Sequence, residues 1–289
     1  MHEAVMVDEV LENLIIDREG TYIDCTFGLG GHSIRILQTL SSGGMLKALD
    51  KDPESVKIAE NLSSHDKRFS FFNASFGKLS DFVKQESVSG ILLDLGISSN
   101  QLEDSSRGFS FQKTGPLDMR INQSEGITAS QWLSKANKNE IEDVLWKLGE
   151  ERASRKIAKF ICNNREKEPI NSTEDLSEIV KRCKSRRGKR HPATNVFRAI
   201  RMKINNEIFE LKAALESTAK VLKEGGRLIV ISFHSIEDRI VKRFLLGKDL
   251  ENQKELRLVI KKPLRPTKEE LKRNPRSRSA ILRVAEKVA

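Results

Sequence analysis

Three glycines, Gly28, Gly30 and Gly31, follow the short apolar run 21–25, and an acid, Asp50, closes a second such run about twenty residues later. A glycine turn between a strand and a helix lets backbone come close to a ligand and leaves the first helical amides free to donate. An acid at that distance is placed to accept from a nucleoside ribose, so turn and acid together describe a nucleoside pocket. A glycine turn alone also occurs where a helix merely packs on a strand, and Asp50 is what separates the two readings. The nicotinamide fingerprint wants a third glycine where this chain has Ser33. The looser glycine spacing with an acidic ribose clamp fits an S-adenosylmethionine pocket better.

The elements needed to carry such a pocket are present. Strand-like runs at 21–25, 45–49, 69–72 and 91–93 alternate with helical spacing at 7–15, 34–40, 53–62 and 79–83, and repeated βα units build a mainly parallel sheet covered on both faces. After Asp94 the alternation stops. Residues 96–126 form a long polar segment, of the kind that is functional or disordered in compact domains. Residues 128–187 read as helices only, with Ile141, Val144, Leu145 and Leu148, and again Leu176, Ile179, Val180 and Cys183, at i, i+3, i+4, i+7. A further amphipathic segment runs from Asn205 to the Gly225-Gly226 pair. The sheet resumes at 228–231, a helix follows at 236–246, and 256–260 with 280–285 can pair antiparallel at the sheet edge. The expected fold class is α/β, a Rossmann-like sheet over 1–104 and 205–289 with an all-helical insert over 105–204.

With 289 residues the chain can bury a substantial core, and 51 Lys and Arg against 41 Asp and Glu give a net charge of +10, which suits a polyanionic partner such as nucleic acid. The three cysteines, Cys25, Cys162 and Cys183, are scattered without CxxC or Cys/His clustering, which indicates neither a disulfide framework nor a metal site. With no long apolar run or export pattern, a cytoplasmic protein without membrane association is expected.

These motifs are joined by GILLDLGISSNQL (90–102), RGFSF (107–111), PLDMR (116–120), ISFHSIEDR (231–239) and NPRSRSA (274–280). Together, and in this order from His2 to Arg283, they resemble the RsmH/MraW family, which methylates the N4 amine of a cytidine in small-subunit (16S) ribosomal RNA. The resemblance implies a class I methyltransferase fold and S-adenosyl-L-methionine as cofactor. Its cofactor residues carry over onto Gly30, Gly31, His32, Asp50, Phe76, Asp94 and Gln101. Gly30, Gly31 and His32 would present backbone to the methionine end, Asp50 would accept from the ribose hydroxyls, and Phe76 would offer its ring to the adenine. Ala4, Asn100, Asn195 and Arg198 depart from the family pattern without removing a cofactor-facing group. The implied partner is small-subunit rRNA or the assembling subunit, with monomer and homodimer both open.

Methylation at carbon 5 of a pyrimidine requires a cysteine nucleophile, and no cysteine here follows a proline in a loop. Direct transfer to an exocyclic amine needs only in-line placement and an acceptor for the amine hydrogens. Asp94 can serve the cofactor, the reading preferred here, or accept from the amine. Asp118 and Asp238 are other acceptor candidates. His234 can relay the proton or be satisfied by local backbone, and Phe109 and Phe111 can clamp the flipped base or anchor their own loop. The acid-free run 181–191 contains Arg186, Arg187 and Arg190. With Lys261, Lys262, Arg273, Arg276 and Arg278, it forms the expected phosphate-contacting set.

Overall fold

The computed structural model describes residues 4–184, 191–248 and 255–288. The chain divides into two compact units, Met1–Gly96 with Ile208–Ala289, and Ile97–Glu207.

The first unit is a seven-stranded sheet in the order β3-β2-β1-β4-β5-β7-β6. Along the chain run α1 (Val7–Leu14), β1 (Thr21–Asp24), α2 (Gly31–Thr39), β2 (Met45–Asp50), α3 (Pro53–His65), β3 (Phe69–Asn73) and β4 (Val88–Asp94). The five strands β3 to β5 of the sheet order pair in parallel, and β7 runs antiparallel to both β5 and β6. This is the α/β class and the class I methyltransferase strand order. Because both faces are covered, the parallel strands read as nearly continuous apolar runs. One face carries Tyr22, Leu46, Ala48, Leu92, Ile229 and Ile231 against α1, α2 and α3; the other carries Ile23, Leu49, Ile91, Leu93, Leu228 and Val230 against helices from the C-terminal half.

The second unit holds α4 (Ser99–Glu103), α5 (Ala129–Lys135), α6 (Lys138–Lys147), α7 (Ser154–Arg165), α8 (Thr173–Cys183) and α9 (Thr194–Ile204). Phe109, Leu117, Met119, Leu133, Ile141, Leu145, Ile157, Val180 and Ile200 form its core. Asn205 ties its loop in place, donating Nδ2 to Met119 O at 2.7 Å and accepting Ile121 N on Oδ1 at 2.8 Å. The sheet unit then resumes with α10 (Glu207–Val221), β5 (Leu222–Ser232), α11 (Ser235–Leu245), β6 (Leu256–Leu258), α12 (Lys268–Arg273) and β7 (Ile281–Lys287).

Several local expectations change. The segment 79–83 is not an α-helix; a 3₁₀ stretch, Phe76–Asp81, covers its first residues, started by Ser75 accepting Gly77 N. The polar segment 96–126 is packed rather than open, with Arg107, Leu117, Asp118 and Met119 all buried. The pair Gly225-Gly226 lies inside β5, at a register shift between its pairing with Val88 and with Gly90, where a bulge absorbs the positive φ of Gly225. β6 and β7 do pair antiparallel, but β7 sits inside the sheet beside β5, and of the two it is β6 that lies at an edge. Among the described residues no helix is long and apolar enough to cross a membrane.

Candidate active site

Three neighbouring strands of the sheet unit end in aspartate: Asp24 on β1, Asp50 on β2 and Asp94 on β4. Asp24 pairs in register with Ala48 on one side and Leu92 on the other, so Asp50 and Asp94 each lie two residues further along. Side chains alternate with period two, which places all three carboxylates toward the face covered by α2. The glycine turn crosses above them at the carboxyl ends of the strands, where open α/β sheets bind ligands.

The turn is built for close approach. Gly28 and Gly30 adopt φ of +54° and +80°, where a side chain would be strained. A Cβ on Gly31 would lie 2.9 Å from that of Ala4. Helix α2 starts at Gly31, earlier than the apolar spacing indicated, with no side-chain cap at Gly30. Its first amides are therefore available to a ligand.

Asp50 accepts Gly28 N on Oδ2 at 2.7 Å and Asp52 N on Oδ1 at 2.9 Å, which fixes its carboxylate beside the turn. Burial pushes its pKa up to about 6, against the opposing pull of those two amides. Asp24 is fully buried beneath, accepting Ser33 Oγ at 2.7 Å and Thr26 N at 3.0 Å, and burial raises its pKa too. Thr26 links the strands by donating backbone N to Asp24 and accepting Asp94 N on Oγ1 at 2.8 Å.

His32, in the first turn of α2, is 5% exposed, and its Nε2 lies 3.4 Å from Asp94 Oδ2. That contact lacks hydrogen-bond geometry, and both ring nitrogens of His32 and Oδ1 of Asp94 are buried without a hydrogen bond. Burial depresses the imidazole pKa, but Asp94, Asp24 and Glu270 outweigh it and the net shift is upward. Buried polar atoms are normally satisfied, so this cluster presents unmet donors and acceptors where a ligand's polar end would lie. A nucleoside with a charged amino-acid tail fits that donor set: Asp50 for ribose hydroxyls, the α2 amides for a carboxylate, and Asp94 Oδ1 for an ammonium.

Phe76 begins the 3₁₀ stretch after β3 and is half-buried against the sheet's second face cluster. Gln101 lies in the helical unit, where its Oε1 accepts Ser98 N at 2.8 Å in a capping box. The other acceptor candidates are already engaged. Asp118, in the helical unit, is gripped by Arg120 at 2.7 and 2.8 Å, and although its burial works in the opposite direction, Arg120 and Gln123 hold its carboxyl below the usual range. Asp238 on α11 accepts both Arg283 Nε at 2.7 Å and Nη2 at 3.1 Å. His234 caps α11, with Nδ1 accepting Glu237 N and Nε2 lying 3.1 Å from Glu237 Oε1. Phe109 is buried in the helical core, and Phe111 stacks on His191 with ring centroids 4.3 Å apart.

Arg276 and Arg278 are exposed on the 3₁₀ turn Pro275–Ser279. Arg186, Arg187 and Arg190 lie outside the described residues. Sequence reasoning missed Asp24, Thr26 and Ser33, although the repeated strand-final aspartate was a signal in plain view. Cys25 and Cys183 are buried and burial raises both thiols, Cys25 strongly.

The chain matches the MraW methylase family over residues 1–288. It is 47% identical over 304 aligned positions to Ribosomal RNA small subunit methyltransferase H of Coxiella burnetii (strain Dugway 5J108-111), covering 100% of this chain and 99% of that protein. The protein of the same name from Buchnera aphidicola subsp. Schizaphis graminum is 45% identical, covering 99% and 97%. A solved rRNA methylase from Streptococcus thermophilus is 12% identical with a TM-score of 0.45, covering 100% of this chain and 99% of its own. By the extent of the family match and the identity to these full-length relatives, the chain belongs to the MraW methylase family.

Proposed function

We propose that this methylase transfers a methyl group to N4 of a cytidine in small-subunit (16S) ribosomal RNA. The observation that carries the reading is the arrangement at the carboxyl ends of the strands: three strand-final carboxylates, a glycine turn, and unmet polar atoms on His32 and Asp94. The cofactor, S-adenosyl-L-methionine, supplies a methyl group on a sulfonium that a nitrogen lone pair can attack directly.

The residues divide that work. Gly30, Gly31 and the following amides receive the carboxylate of the amino-acid tail. Asp50 accepts from the ribose hydroxyls in its ionised form, already oriented by Gly28 N and Asp52 N. His32 lies 3.4 Å from Oδ2 of Asp94, and Oδ1 of Asp94, which has no hydrogen-bond partner among the described residues, would accept from the tail's ammonium. Phe76 completes the cofactor set of the sheet unit by resemblance to the family. Fixing the cofactor's reactive carbon relative to an incoming nitrogen is a large part of the rate of a direct displacement, because orientation converts a two-body encounter into an intramolecular step. No covalent enzyme intermediate is required, in keeping with the burial of Cys25 and Cys183. The base must leave its stack to reach such a site.

The test is incubation of the purified protein with methyl-labelled cofactor and with separated rRNAs or small subunits, followed by nucleoside analysis. Label in N4-methylcytidine from the small-subunit RNA is expected. Label on carbon 5, or on another RNA only, overturns the assignment.

A further inference from the structure

The helices of the second unit treat their surface charge in two ways. On α6, Lys147 pairs with Asp143 at 2.7 Å, and on α8, Lys181 pairs with Glu178 at 2.7 Å. Lys184 and Lys203 likewise reach Glu151 and Glu140. Helix α7 differs. From Arg152 to Arg165 there is no acid. Its inner face buries Ser154, Ile157, Ala158 and Ile161, while Arg152, Arg155, Lys156 and Lys159 are exposed. Among the described residues none of these four cations makes an ion pair, whereas Arg165 is spent on the carbonyls of Leu133 and Ala136.

The arrangement is not one that helix stability favours. Cations belong near the C-terminal end of a helix dipole and acids near the N-terminal end, the order found on α8 with Glu174 and Asp175 first and Lys181 and Arg182 last. In α7 the cations crowd the N-terminal half, and the helix has no side-chain cap. Arg155 and Lys159 stand one turn apart, about 6 Å along the axis. Lys156 lies over the ring of the exposed Phe160, 5.9 Å from its centroid, which braces the ammonium at the same face. Four unpaired cations on one rigid face, at a local electrostatic cost, complement a polyanion with closely spaced charges.

We infer that the exposed face of α7 is a docking surface for the phosphate backbone of the substrate RNA, adding its contacts to those expected of the 181–191 run. The inference rests on the RNA substrate proposed above. Contacts of this kind position the RNA without reading its sequence.

The experiment compares the full-length protein with the R155Q/K156Q/K159Q variant in equilibrium binding to a small-subunit rRNA fragment between 50 and 200 mM salt. Three lost phosphate contacts should reduce the slope of log K against log salt by about 2 in magnitude and weaken binding tenfold or more at the lower salt. The thermal midpoint and cofactor affinity should hold, and Lys147→Gln, which removes an already paired cation, should leave the slope unchanged. An unaltered slope in the triple variant overturns the α7 surface while leaving the RNA substrate standing. Absence of RNA binding by the unmodified protein overturns both.

Discussion

The acidic groups at the strand ends and those of the loops and helix starts look alike in sequence, yet the fold spends them differently. Asp118 and Asp238 are each closed by a bidentate arginine, Arg120 and Arg283. Asp24, Asp50 and Asp94 have no arginine or lysine partner among the described residues; amides and a hydroxyl orient the first two, whose pKa burial raises, and Asp94 faces the His32 imidazole without a hydrogen bond to it. A carboxylate matched with a cation inside its own unit holds structure, whereas carboxylates kept ionisable at a cost are the arrangement expected of a ligand site. α7 repeats the lesson with the opposite sign.

The largest effect that can break this contrast is expected at Asp94. Asp94→Asn keeps the shape but removes the charge that aligns the cofactor's tail, and turnover should fall by about 10²- to 10³-fold, the scale of one lost electrostatic contact in an active site. Steady-state methyl transfer measures it; a variant with near-normal turnover would remove Asp94 from the machinery.

Next in size is a pH effect at Asp50. Its pKa of about 6 in the free protein lies above the ordinary carboxylate value, so the ionised form is the costly one and folding stability from this group declines as pH rises through 6. Ribose hydroxyls donate to the ionised form. Cofactor affinity should therefore rise from pH 5 to pH 7 and level off above, with proton release on binding near pH 6. Calorimetry in two buffers of different ionisation enthalpy reads both, and Asp50→Asn should flatten the profile.

The structural carboxylates should behave in the opposite way. Asp238→Asn leaves Arg283, only 6% exposed, facing a neutral group, and should cost about 1–3 kcal/mol of stability, a drop of several degrees in thermal midpoint. The smallest effect is expected from the combined Cys25→Ser, Cys162→Ser and Cys183→Ser variant, which should retain turnover apart from a packing cost at Cys25. A trapped cysteine–RNA adduct in the unmodified protein would contradict direct transfer.

Much of this was legible from residue order. Parallel strands buried on both faces announce themselves as short apolar runs, and Asp50 does lie against the glycine turn, as its spacing in the sequence implied. What pattern reading could not supply was pairing. Asp118 looks as available as Asp94 until Arg120, two residues away, is seen to fold back on it. His234 reads as a relay until it is found capping α11. Asp24 was passed over as the end of a core strand, because only the register between β1, β2 and β4 shows that it shares a face with the other two. The α7 surface was hidden for a related reason: its cations are spread at helical spacing rather than in a run, so they gather only once the helix is formed.

The contrast itself is tested most directly by one set of calorimetric titrations of S-adenosylmethionine, at pH 7.5, into Asp50→Asn, Asp94→Asn, Asp118→Asn and Asp238→Asn. The account predicts a loss of about 1.5–3 kcal/mol, roughly tenfold to a hundredfold in affinity, for the first two, and affinity within about twofold of the unmodified protein for the last two. Comparable losses in all four, or losses confined to Asp118 and Asp238, would contradict it.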